Sequence, residues 1–498
     1  MHKFRDLSYV TLIRNNCTMD NKAEATDHVE IVRMDENSVA DEKRLKRKWD
    51  MRVLPVLFLI YFCSFMDRAS IGNASIAGLS EDLHLKGRSY NVALALFFVI
   101  YIVVDVPAAW IFGLVGRGRF LSASIFFWGW TTFGIGFVNT EAELYALRCM
   151  LGLFEGGLTA CIFVYLGLFY TRYELQGRIA WFYISGPLSN AAGGLLASGL
   201  DRIEDGRYRT WRWIFIVEGA ATVLVGVACF FALPNWPSKA TYLTKEEKIL
   251  AEARTAESSN SFGNEGEQGE SFTLKRATRG IRDWNTAILA LSALGTYSNV
   301  YAYTLFSPTI IRTFGFSVLK SQLLSVPPYV AAATFIIATC YLSDHVRMRG
   351  PFVVLGSVLQ ALGWIVQLAC HGTAVRYFGL FLISCGAFGS IPPSSTWLLN
   401  NIQPQLARAT AMAFVVATGN CGGIVATFTY IGNKTASTGN ALQLGLSGLT
   451  FVCASSLMLF NKWENAKRAC GDRNHRLTDG KVPANELGSR HPGFKLSL

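Results

Sequence analysis

Arg148-Cys149-Met150-Leu151-Gly152-Leu153-Phe154-Glu155 lies at the centre of an apolar stretch, 142–170, and sets an arginine and a glutamate inside a segment long enough to cross a bilayer as a helix. Seven residues make two helical turns, so both side chains project from nearly the same face. A charge near the bilayer centre costs about 2.5–3.5 kcal/mol on insertion scales, so such residues face a bundle interior or a water-filled cavity. The stretch reads in one of two ways, as the wall of a transport pathway or as an ion pair that locks helices together.

The composition around it agrees with a membrane setting. Of 498 residues 51% are hydrophobic and 16% charged, below the roughly 25% charge of soluble domains. Apolar runs of about 20 residues, the length a helix needs to span the hydrocarbon core, recur twelve times: 52–72, 89–112, 120–138, 142–168, 178–200, 212–233, 284–306, 322–342, 351–371, 375–396, 408–431 and 440–461. The expected fold is an all-α membrane protein of twelve transmembrane helices. The net charge of +11 sits at the membrane edges and not on one soluble face, which argues against nucleic acid as a partner. The cluster from Lys43 to Lys48 and the residues Lys462, Lys467 and Arg468 place both termini in the cytosol under the positive-inside rule. No apolar stretch precedes Val53, so the first span is expected to direct insertion. The eleven cysteines fall mostly inside the spans with no C-x-x-C pair and read as small core hydrophobes.

The chain divides into an unstructured tail over 1–49, a first six-helix bundle over 50–234, a cytosolic linker over 235–282, a second bundle over 283–462 and a tail over 463–498. Thr244 and Glu247 have capping-box spacing and open a short amphipathic helix in the linker; Ser258 to Ser271 is connector. Six spans, a polar linker and six more spans suggest a two-fold repeat. The loops 113–119 and 342–350 occupy corresponding positions in the halves; only the second holds the aspartate, Asp344, with Arg347.

Further polar residues lie inside the spans. Asp67 and Arg68 sit near the far end of the first, where they address a cavity or mark the helix end. Asp105 precedes Pro107 by two residues in the second, and Glu218 lies about a turn and a half inside the sixth. Trp397 can hold a polar ligand or anchor at the interface; Asn420 can do the same or bond a neighbouring helix. Asn433-Lys434-Thr435 matches a glycosylation acceptor. No phosphate-binding loop, metal-ligand cluster or nucleophile motif appears, so the chain does not read as an enzyme.

Asp67-Arg68, Ile71-Gly72-Asn73-Ala74, Arg148 with Gly152 to Gly156, Trp211 to Gly219, Leu324 to Tyr329, Ser343-Asp344 and Gly419 to Gly423 together resemble the fungal allantoate permease branch of the anion:cation symporters, within the major facilitator superfamily. The resemblance covers roughly residues 45–465. It implies two six-helix bundles rocking about a midplane cavity, and proton-coupled import of a small organic anion such as a ureido acid, nicotinate or a pantothenate-like vitamin. By the same resemblance Asp67 and Glu155 take the coupling proton, Arg68 and Arg148 face the anion, and Trp397 and Asn420 contribute from the second bundle. Asp105, Glu218, Asp344 and Arg347 are expected to gate or brace, with no cofactor beyond protons. The expected setting is a monomer in the lipid bilayer of the plasma membrane. Three features depart from the pattern. Asp105 stands where glutamate is usual, Leu158-Thr159-Ala160-Cys161 replaces a Pro-Gly pair, and the last outer loop is atypical. An exporter or a non-transporting sensor of the same fold are the alternatives.

Overall fold

The computed structural model describes residues 36–85, 88–170, 172–200, 209–260, 280–402, 405–429, 436–478, 489 and 491–498. The acceptor pattern at Asn433 to Thr435 and the charged loop 201–208 lie outside the described residues. The described elements are helical, with no strand among them. In chain order the first half carries α1 (Glu36–Arg52), α2 (Leu54–Ala74), α3 (Ser80–Asp82), α4 (Ser89–Val115), α5 (Arg117–Ile135), α6 (Glu141–Glu155), α7 (Leu158–Phe169), α8 (Arg172–Leu200) and α9 (Thr210–Ala232), and the linker carries α10 (Lys245–Asn260). The second half carries α11 (Trp284–Arg312), α12 (Val318–Val346), α13 (Gly350–Ala369), α14 (Thr373–Asn401), α15 (Gln405–Thr429) and α16 (Ala436–Ala469). With α1, α3 and α10 set aside and α6 and α7 counted as one broken span, the remaining helices correspond to the twelve expected spans.

Among the described residues, eight helical stretches are long and apolar enough to cross a membrane on length and composition. α11 is not one of them, for a physical reason. Its Ser298, Asn299, Tyr301, Tyr303, Thr304 and Ser307 are all buried inside the protein, so it trades lipid-facing apolarity for inward polar contacts.

Small residues set the helix separations. A Cβ on Gly226 of α9 would come within 2.8 Å of the Phe126 backbone of α5, and one on Gly386 of α14 within 2.5 Å of the Gly356 carbonyl of α13. The bundles make several close contacts at the end remote from α1 and α10, here the distal end. There a Cβ on Gly72 of α2 would lie 2.6 Å from the Leu305 carbonyl of α11. Asn91 donates to the Thr427 carbonyl at 2.6 Å, and Gly194 faces Gln322 and Ser325. Towards the other end, the terminal face, Tyr183 and Ser395 share a hydrogen bond of 3.1 Å across the bundles.

Three boundaries differ from the sequence reading. Residues 36–49, read as unstructured, belong to α1, because Leu45 and Trp49 are buried and Lys48 and Glu42 pair with Glu247 and Arg254 of α10. The fourth span breaks at Gly156-Gly157, where Gly157 takes a left-handed φ of 76°, a conformation glycine adopts without penalty. Finally, α16 runs on to Ala469, and residues 489 and 491–498, read as tail, pack against the terminal face of the second bundle.

Candidate functional site

Arg68 is the centre of the buried polar residues. α2 carries it, with Asp67, into the middle of the molecule, and both are buried there. Its Nε and Nη2 donate to one oxygen of Glu155 at 2.9 and 2.5 Å, and Ser64 donates to that same oxygen at 2.5 Å. Its Nη1 donates to the Tyr301 hydroxyl at 2.7 Å, and Tyr301 donates onward to Asn420 Oδ1 at 2.7 Å. One guanidinium thus joins α2, α6, α11 and α15 across both bundles. Tyr101 and Phe65 place their rings 5.0 and 5.3 Å from its central carbon, the distance range of cation–π attraction.

The pairing suggested by the Arg148 to Glu155 spacing does not form. Seven residues rise about 10.5 Å along a helix, so the two share a face without touching, and Glu155 turns to Arg68 instead. Arg148 is buried with its Nε and Nη2 lacking hydrogen-bond partners. Asp67 accepts from the Trp128 indole and from Thr132 at 3.2 Å. Glu218 meets Ser70, which ties α9 to α2. Asp105 is fully buried and neither of its carboxyl oxygens has a partner.

A cavity of about 10 Å³ lies against Arg68, lined by Tyr61, Phe65, Thr159, Tyr297, Tyr301 and Asn420 among others. That is at the lower limit for a single water molecule, so anything larger reaches Arg68 only when helices part. Trp397 stands away from this cluster: it is buried near the terminal face, and its indole N–H donates to the Ser497 carbonyl at 2.9 Å. Asp344 and Arg347 also sit at that face. Asp344 bonds Arg349 at 2.8 Å, and Arg347 is exposed with φ of 57°.

The sequence reading brought Arg68, Glu155 and Asn420 to notice, and these three do converge. It missed Tyr301, Tyr297, Tyr61 and Ser64. A signal was present in the run Tyr297-Ser298-Asn299-Val300-Tyr301, whose polarity is unusual inside a span and whose tyrosines are one turn apart on one face.

Residues 57–427 match the Major Facilitator Superfamily. An uncharacterized transporter of Schizosaccharomyces pombe is 34% identical over 379 residues, which cover 76% of this chain and 75% of that one. The high-affinity nicotinic acid transporter of Saccharomyces cerevisiae is 29% identical over 91% of this chain and 84% of its own. Among solved structures, the proton:xylose symporter XylE superposes with a TM-score of 0.69 at 15% identity, over 83% of this chain and 96% of that one.

Proposed function

This chain belongs to the Major Facilitator Superfamily, and on that premise we propose that it imports a small organic carboxylate together with protons. The observation that carries the reading is Arg68: a buried guanidinium, held by a carboxylate that a substrate carboxylate can replace, beside the cavity between two bundles. Guanidinium and carboxylate match as forks, and charge-assisted hydrogen bonds of this kind are the strong ones. The similarity to a nicotinic acid transporter supports a monocarboxylate as the cargo.

The coupling follows from counting buried charges. Among the described residues, the first bundle buries four carboxyl groups, Asp67, Asp105, Glu155 and Glu218, against two guanidinium groups, Arg68 and Arg148. Unpaired charge is costly in such a place, so surplus carboxyl groups are places to hold protons. A proton taken by Glu155 removes its hold on Arg68, and the substrate anion takes the freed N–H groups. Asp67, held by Trp128 and Thr132 on the neighbouring α5, is the second proton site, and Arg148 supplies the remaining positive charge. Asn420 contributes from the second bundle through Tyr301; Trp397 acts through the terminal face. Asp105, Glu218, Asp344 and Arg347 brace or gate. Release of proton and anion on the cytosolic side, where both termini lie, completes the cycle. The working unit is a monomer in the plasma membrane, with no cofactor beyond the coupling proton.

The test is initial uptake of labelled nicotinate and a panel of small carboxylates by cells expressing the protein, at external pH of about 5 and about 7.5, on either side of the reference histidine value. Uptake of one compound that is faster at the lower pH and lost in Arg68→Gln supports the reading. Uptake indifferent to pH, or unchanged in Arg68→Gln, overturns it. Proton-driven efflux of a panel member would show an exporter.

A further inference from the structure

The terminal face of the second bundle holds residues 494–498, which form neither helix nor turn, in a way that reads their backbone. Asn465 of α16 accepts from the Leu496 N–H at 2.9 Å and donates to the Leu496 carbonyl at 2.8 Å. Asn401 of α14 does the same to Ser497, accepting from its N–H at 2.7 Å and donating to its carbonyl at 3.2 Å. A side-chain amide that pairs with both backbone groups of one residue imitates the neighbouring strand of a sheet. Two such amides on successive residues fix the register of the bound stretch.

The rest of the site is built around these two. The Ser497 carbonyl also receives the Trp397 indole at 2.9 Å and Asn461 at 3.1 Å. The Arg349 N–H, at the start of α13, donates to the Leu498 oxygen at 2.6 Å. Arg468 donates to the carbonyls of Phe494 at 2.6 Å and Ser489 at 3.1 Å. Trp397, Asn401 and Asn461 are fully buried, and the Leu496 side chain is buried with them. Polar side chains buried this way rely on the bound backbone for their hydrogen bonds.

We propose that this face is a peptide-binding site, specific for a backbone free of helix and turn over 494–498 with one apolar side chain at the Leu496 position, and that its ligand is the chain's own Ser489 and residues 491–498. The segment touches the start of α11 through Asp283 and Ser489, the start of α13 through Arg349, and the ends of α14 and α16. Bound, it ties the terminal ends of four helices into one unit. It also accounts for Trp397, whose indole is committed to the segment and not to the central cavity.

The test uses the purified full chain in detergent and trypsin. Lys495 is exposed while Leu496 is buried, so the bond after Lys495 is cleavable only when the segment lifts off. Release of the peptide that begins at position 496 is followed by mass spectrometry in the unaltered protein, in Leu496→Asp, and in the double variant Asn401→Ala with Asn465→Ala. The expected result is cleavage at least about tenfold faster in both variants, as local opening becomes more populated. Leu496→Asp leaves every helix sequence intact, so a folding defect of the double variant does not obscure the result. Cleavage of the unaltered protein as fast as that of Leu496→Asp overturns the proposal.

Discussion

At the scale of single residues, the chain shows why buried charges are easy to find and hard to pair. Arg68, Arg148, Asp67 and Glu155 stand out in the sequence because charges inside apolar spans are expensive. Which of them touch depends on the rotation and separation of different helices, and a spacing along one helix carries no information about that. Asn420 came to notice as a polar residue in a span; Tyr301, its partner, did not, because tyrosine is common at membrane interfaces. Yet the Tyr301 hydroxyl is the link between Arg68 and the second bundle at the cavity. Tyr301→Phe keeps the ring and removes that link, leaving Arg68 Nη1 and Asn420 Oδ1 without it. The expected loss is about 1–3 kcal/mol, about tenfold or more in substrate affinity, to be read from the KM for uptake. An unchanged KM would mean that the substrate does not use the Arg68 to Asn420 chain.

At the scale of elements, the linker helix separates local from non-local information. Its capping box was legible in four residues and is formed: Glu247 N–H donates to Thr244 Oγ1 at 3.3 Å, and Thr244 N–H to Glu247 Oε2 at 3.0 Å. Its docking partner was not legible, because Lys48 lies 199 residues away. Lys48 reaches both oxygens of Glu247 at 2.6 and 2.8 Å. Burial pushes the Glu247 carboxyl up, but the Lys48 ammonium and the Thr244 N–H outweigh it and hold the group below the usual glutamate value. A carboxyl lowered in the folded state stabilises that state fully above its unfolded value of about 4.3, and the contribution fades as pH falls through the lower folded value. Protection of α10 amides from hydrogen exchange, compared at neutral pH and below pH about 4, should therefore drop in acid. Lys48→Met should lower that protection at neutral pH and flatten its dependence on pH. Equal acid sensitivity in both proteins would assign the effect to another group.

At the scale of the whole molecule, the twelve spans and the division into halves were legible because lipid imposes length and apolarity on each segment. The end at which the halves meet was not, since that depends on close approaches between residues far apart in sequence. The distal end is closed by Gly72 against Leu305, Gly194 against Gln322 and Ser325, and Asn91 against Thr427. Gly194→Trp places an indole where a single Cβ would already lie 3.1 Å from the Gln322 carbonyl. The variant should reach the membrane in normal amount yet lose uptake, because its distal ends cannot meet; normal uptake would show that this contact is no part of the cycle. The interrupted fourth span bears on the same cycle from another side. Its helical ladder stops at Gly156 and resumes with the Cys161 N–H bonded to the Gly157 carbonyl at 2.9 Å. A rod already jointed there flexes without breaking helical hydrogen bonds, whereas an intact one would lose them. The joint at Gly157 therefore leaves the half that carries Glu155 and the half towards the terminal face free to change their mutual angle, as a crank turns about its pin.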